Sequence, residues 1–182
     1  GGGAGDGLWA TGENWTNDEV PGETEDDYTR IQQAGAVVEI DQDIDALTPN
    51  NITTFLMLNS PTLNVTAGKF ANTGGCLIYS GEVNQSAGEF DVGGSVLLGN
   101  AAADLARFTV SGASTTFSGL NGGYAQFTVG ASATGTTDGG GVITQYGGEF
   151  IQNDGDVNLD LRLEIGKNLG ATGKYELNGG TF

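Results

Sequence analysis

Apolar and polar residues alternate with a period of two in short runs along most of this chain. In TLNVTAGKF (62–70), Leu63 and Val65 share one face, while Thr62, Asn64 and Thr66 share the other. In KYELNGGTF (174–182), Tyr175 and Leu177 oppose Lys174, Glu176 and Asn178. Such a period over roughly 4–6 residues, punctuated by Gly, Asn or Asp, marks a strand with one buried face. No run after residue 46 places apolar residues at helical spacing between caps, so helix content is expected to be close to nil.

The runs recur. An alternating strand ending in a small residue, Gly, any residue and Phe reads TLNVTAGKF at 62–70, EVNQSAGEF at 82–90, VITQYGGEF at 142–150 and KYELNGGTF at 174–182. A degenerate copy, RFTVSGASTTF, occupies 107–117. A second signature, a short apolar strand closed by Gly, reads VLLG at 96–99, FTVG at 127–130 and LEIG at 163–166. From residue 90 onward the two alternate at irregular steps but in constant order. Sandwiches do not require one strand-plus-turn unit to recur, and hairpins would leave Asn-Gly or Asp-Gly loops between matched strands. Here Gly74-Gly75, Gly93-Gly94, Gly122-Gly123, Gly147-Gly148 and Gly179-Gly180 read as corners between unequal strands. Repeats that cannot bury their own apolar face stack on neighbours and so repeat their corners. The expected fold is all-β, a parallel β-helix of roughly seven to nine coils. Inward Phe, Leu, Ile and Val would form ladders about 4.8 Å apart. The unmatched stretches 100–106 and 131–141 read as loops projecting from the coils.

Composition narrows the alternatives. Glycine supplies 33 of 182 residues, about 18% against roughly 7% in ordinary soluble proteins. Three prolines without a period of three exclude collagen, and 37% apolar residues suffice for a packed core. No stretch reaches the roughly 18 consecutive apolar residues of a membrane helix. Opening at Gly1 without a signal pattern, the chain reads as a mature or trimmed product. Its 23 acids against 6 bases, with no His, give a net charge of −17. That surface repels phosphate backbones and anionic headgroups, which argues against nucleic acid and membrane partners and favours divalent cations. Cys76 stands alone, so it builds neither a disulfide framework nor a metal cluster and reads as a buried apolar residue.

The segment LEIGKNLGATGKYELNGGTF at 163–182, with VITQYGGEF and EVNQSAGEF, resembles the glycine-rich repeats of bacterial surface and secreted proteins. Proteins bearing PEP-CTERM sorting signals and autotransporter passengers are among them. The resemblance covers roughly 46–182 and implies a right-handed parallel β-helix on the cell exterior. It carries over no catalytic motif.

Residues 1–45 read as an acidic arm and irregular cap with a first strand, ahead of one continuous repeat domain at 46–182. They hold 12 acids and a single base, Arg30. GLWATGENW supplies Trp9 and Trp15, the loop NDEVPGETEDDYTR follows, and VVEIDQDI at 37–44 alternates. The first coil of a stack has an open face to cover, so terminal repeats are atypical. Trp9 and Trp15 therefore read as cap packing; a sugar-stacking platform is the other reading. In the resembled proteins a Trp-containing opening of this kind precedes the first coil.

Two acidic rows are candidate chemistry. On a strand at 37–45, Val38, Ile40, Gln42 and Ile44 would face inward and Glu39, Asp41, Asp43 and Asp45 outward. Carboxylates so spaced repel one another and could be bridged by Ca²⁺, a hard cation taking six to eight oxygens; the other reading is a solvated acidic face. An EF-hand is rejected, because Ala46 stands where Gly is required and Ile52 where Glu is required. Asp154, Asp156, Asn158 and Asp160, with Arg162 on the same parity, form the second row, a weaker calcium candidate and the best place for a β-helical polysaccharide lyase or hydrolase. Without His, a Ser-His-Asp triad cannot be built. Asn14, Asn51, Asn64 and Asn84 head N-x-Ser/Thr sequons that matter only if the host glycosylates.

The expected function is a non-enzymatic extracellular structural protein that binds copies of itself head to tail. A glycan-binding adhesin is the second reading and a polysaccharide-degrading enzyme the third. The last coil would expose Tyr175, Leu177 and Phe182, while the glycine arm, Gly1, Gly2 and Gly3 included, could add a strand to a neighbour. A longer parent chain continuing the solenoid is the alternative to a filament.

Overall fold

The computed structural model describes residues 6–16, 19–22, 27–42, 52–99, 105–112, 114–117, 126–129, 146–159, 162–166 and 171–182. Apart from one 3₁₀ turn at Gly12–Asn14, the regular elements there are strands. The first six are β1 (Asp27–Ile31), β2 (Val37–Ile40), β3 (Ile52–Met57), β4 (Thr62–Val65), β5 (Lys69–Asn72) and β6 (Gly75–Ile78). Next come β7 (Gly81–Gln85), β8 (Glu89–Val92), β9 (Val96–Leu98), β10 (Ala106–Val110) and β11 (Ser114–Phe117). The last are β12 (Gln126–Val129), β13 (Tyr146–Gln152), β14 (Asp156–Leu159), β15 (Arg162–Ile165) and β16 (Ala171–Leu177).

Three sheets result. Sheet I runs β1-β3-β6-β9-β12-β15, sheet II runs β2-β4-β7-β10-β13-β16, and sheet III runs β5-β8-β11-β14. Every ladder among these strands is parallel. From β3 onward each strand pairs with the strand three places along, so the chain visits sheets II, III and I in rotation. The described strands make four complete rotations, β4–β6, β7–β9, β10–β12 and β13–β15, fewer than the seven to nine coils expected. The reason is that one rotation uses three strands: Leu63, Val83, Phe108, Phe150 and Tyr175 are successive rungs of one column, at least 20 residues apart.

All three sheets feed one hydrophobic core. Ile40, Leu63 and Val83 come from sheet II, Phe70 and Phe90 from sheet III, and Phe55, Cys76 and Leu98 from sheet I. Bulk trades between facing columns. Where sheet II holds Leu63 or Val83, sheet III holds Phe70 or Phe90; where sheet II holds Phe108 or Phe150, the register position in sheet III holds Thr115 or Val157. A close-packed interior tolerates such volume-conserving exchange and little else. The rings thereby remain in contact along the stack, with centroids 4.6 Å apart for Phe70–Phe90, 5.1 Å for Phe90–Phe108, 5.3 Å for Phe108–Phe150 and 5.1 Å for Phe150–Tyr175.

The corner from sheet II to sheet III is three residues long in every rotation: 66–68, 86–88, 111–113 and 153–155. This constant corner corrects the frame of two repeat copies. In RFTVSGASTTF the chain turns at residue 111, so Phe117 pairs with Val92, not with Phe90. In VITQYGGEF, Phe150 lies in β13 opposite Phe108, before the corner, and Gly147-Gly148 is strand, not corner. The in-frame copy of EVNQSAGEF is EFIQNDGDV at 149–157. The expected loop 100–106 ends earlier, since Ala106 is the buried first residue of β10; 100–104 and 131–141 lie outside the described residues.

In-register stacking also aligns charges on the outer faces. Glu82, Arg107, Glu149 and Lys174 form one column of sheet II. Arg107 reaches Glu82 at 3.1 Å and Glu149 at 2.8 Å, so one guanidinium bridges carboxylates two rungs apart. On sheet III, Lys69 faces two carboxylates of the next strand, 3.0 Å from Asp91 and 3.8 Å from Glu89. Such half-exposed pairs contribute about 0.2–1 kcal/mol each.

Candidate functional site

The amino-terminal end is built around two indoles. Leu8 bridges Glu39 in parallel, with Trp9 N–H donating to Glu39 O at 2.8 Å and Glu39 N–H donating to Gly7 O at 2.8 Å. The arm thus covers the outer edge of β2. Trp9 is fully buried and packs on Phe55 (6.0 Å) and Phe70 (5.6 Å), so it starts the ring series of the core. Trp15 meets Trp9 edge-on at 4.8 Å and donates its Nε1–H to Trp9 O at 2.7 Å.

Asp6 ties this arm together, accepting from Leu8 N (3.0 Å), Thr11 Oγ1 (2.9 Å) and Asn14 Nδ2 (2.6 Å). The Asn14 amide, then the Leu8 N–H, hold its carboxyl below the ordinary carboxylate value. A carboxyl depressed in the folded state adds stability above its unfolded pKa and loses it as pH falls through the folded value. Acidification below the ordinary Asp value of about 3.9 is therefore expected to loosen the arm. Tryptophan fluorescence should report the transition, and an Asp6→Asn chain should lack it.

Two adjoining hollows, each of about 380 Å³, open beside Trp15. They share Trp15, Thr16, Arg30 and Gln32. Asn14 and Gln33 extend the first, and Glu19, Tyr28 and Thr29 the second. β1 is the outermost strand of sheet I, and Tyr28, Arg30 and Gln32 alternate outward from it while Thr29 and Ile31 are buried. Thr29 Oγ1 has no hydrogen-bond partner among the described residues.

The acidic rows are differently placed than their spacing suggests. β2 ends at Ile40, so Gln42 is exposed where it was expected inward, and Asp41 is exposed beyond the strand. Glu39 points outward and accepts from Thr66 Oγ1 at 2.9 Å. Asp43 and Asp45 lie outside the described residues, as does Asp160. The second row is broken by corners: Asp154 lies on one, accepting the Gly155 N–H at 2.8 Å, Asp156 opens β14 in sheet III, and Arg162 opens β15 in sheet I. Among the described residues no three acids, His or Cys converge on a point where a metal could sit. Burial pushes the Cys76 thiol up to about 12, which keeps it from acting as a thiolate at neutral pH.

At the other end, Thr181 bridges Asp156 and begins another rung of sheet III. Tyr175 stacks on Phe150 and meets Phe182 edge-on at 5.1 Å, and its hydroxyl donates to Gln152 Oε1 at 3.0 Å. Burial raises that phenol to about 12. Leu177 and Phe182 are 53% and 56% exposed, and Ile165 in sheet I is 47% exposed. Gly1, Gly2 and Gly3 lie outside the described residues.

The alternation hid the inward polar residues. Gln85 and Gln152 occupy buried positions and donate Nε2–H to the carbonyls of Gly88 (3.2 Å) and Gly155 (2.8 Å) three residues on. A buried amide needs such partners. The signal was a Gln-x-x-Gly spacing at 85–88 and 152–155.

Compared with known proteins, the chain matches no family model, no curated protein and no solved structure. Among the described residues no helix is long and apolar enough to cross a membrane.

Proposed function

We propose that this chain is a non-enzymatic structural protein of the cell exterior, a right-handed β-solenoid that extends by adding parallel strands at its β16 end. The observation that carries this reading is the stack itself, whose ladders all run parallel, so that a further strand could pair with β16 as β16 pairs with β13. Right-handed winding follows from the strong preference of parallel crossovers for that hand. The glycine-rich repeat resemblance supports an exterior location. An uncovered sheet edge templates another strand, and a head-to-tail contact need not close, so it yields a filament. In the filament a second copy supplies the added strand; further sequence of a longer parent is the other source.

Light scattering and negative-stain microscopy of residues 1–182 separate the two. The expected result is concentration-dependent growth of filaments, suppressed by Leu177→Asp, which puts a charge into the exposed rung. A monodisperse monomer at high concentration overturns the filament reading.

A further inference from the structure

We propose that the paired hollows beside Trp15 form a binding site for a neutral oligosaccharide. This inference rests on the amino-terminal cap and is independent of end-to-end assembly. A sugar ring presents an apolar face and a rim of hydroxyls that both donate and accept, so its site needs a fixed aromatic surface bordered by amides and a few charged donors. Trp15 supplies that surface: its Nε1–H is committed to Trp9 O, its ring lies 4.8 Å from that of the buried Trp9 at an interplanar angle of 61°, and the half-buried residue lines both hollows.

The polar border is also in place. Arg30 in β1 and Gln32, just past its end, are both exposed and line both hollows. Asn14 lines the first hollow and spends its amide hydrogens on Asp6 and on Leu8 O, so its carbonyl oxygen is the group left to accept. Tyr28, 57% exposed, adds a second ring at the far hollow. Thr29, only 3% exposed, lines that hollow and carries a buried hydroxyl with no partner among the described residues.

Size and charge select the ligand class. Two adjoining hollows of about 380 Å³ each suit at least two sugar rings in succession. The first 45 residues hold 12 acids against Arg30 alone, and Glu19 stands in the wall, so a polyuronate is repelled where a neutral chain is not.

The test uses the whole chain at a dilution where light scattering shows single molecules, so that assembly cannot cover the hollows. Cellotetraose, chitotetraose and maltotetraose are titrated against tryptophan fluorescence, with tetragalacturonate as the anionic arm. Trp9 and Trp15 are the only two indoles, and Trp9 is fully buried, so the response reports chiefly on Trp15. The expected result is saturable binding of at least one neutral tetraose, weakened about tenfold in an Arg30→Ala/Gln32→Ala double variant whose melting temperature is unchanged. Trp15→Phe, which keeps a ring, should weaken binding less than Trp15→Ala, both followed by isothermal titration calorimetry because each removes the reporting indole. No saturable response to any neutral tetraose up to its solubility limit, undiminished binding by the double variant, or tighter binding of tetragalacturonate would each overturn the assignment.

Discussion

Phe90→Ala is expected to lower the unfolding free energy by about 4 kcal/mol, in the middle of the range for a buried aromatic truncated in a core. The ring is fully buried and lies between Phe70 at 4.6 Å and Phe108 at 5.1 Å, one stacked and one edge-on. Removing it deletes two ring contacts and leaves a cavity that rigid ladders above and below cannot close. Urea unfolding followed by circular dichroism should show the midpoint fall with the slope unchanged. A second measurement tests the exchange of bulk between columns. Phe90→Val alone should be destabilising, and adding Val83→Phe should recover part of the loss, because sheet II carries the ring in the next two rotations. Strict additivity of the two changes would show that the columns do not share one packing volume.

Gly88→Ala should be nearly as severe, at about 3 kcal/mol, for a different reason. Gly88 has φ +72°, and a Cβ there would stand 2.3 Å from the carbonyl oxygen of Gly68, the equivalent glycine one rotation below. Gly35 has nearly the same backbone, φ +70°, but no heavy atom within 4 Å of a built Cβ. Gly35→Ala should therefore cost only the left-handed conformational penalty, about 1–2 kcal/mol. The difference between the two melting temperatures measures stacking of corner on corner, separated from the conformational preference they share. Equal shifts would mean that the corners are not in contact in solution.

Strand type and the buried face were legible in the chain because both are local. Leu63 and Val65, or Tyr175 and Leu177, declare a common face through a period of two, and glycine marks the places where that period breaks. The second repeat signature was read in the correct frame: VLLG, FTVG and LEIG do lie in register in sheet I. The first was not, because Phe moves between sheets. Phe90 follows the corner and Phe150 precedes it, yet both complete the same Gly-x-Phe text.

The candidate site divides in the same way. Trp9 and Trp15 were recognisable as the covering of an open end, since any stack needs one. The hollows beside them were not recognisable, because Arg30 and Gln32 are brought to Trp15 by the pairing of β1 with β3 and of Leu8 with Glu39, contacts between distant segments. The two acidic rows fail for a complementary reason. Their alternation assumes a straight strand, but β2 stops at Ile40 and the chain turns through Asp154.

By itself, then, the sequence determined that this protein is all-β, repetitive and stacked, with Phe, Leu, Ile and Val inward, because hydrophobic period and glycine punctuation act over a few residues. Only the tertiary structure decided where each rung begins and which residues meet. Those follow from a constant three-residue corner, from aromatic volume traded between facing sheets, and from Arg107 set between Glu82 and Glu149. The last two act across at least 20 residues of chain, while the corner is local and shows in the sequence only as the Gln-x-x-Gly spacing.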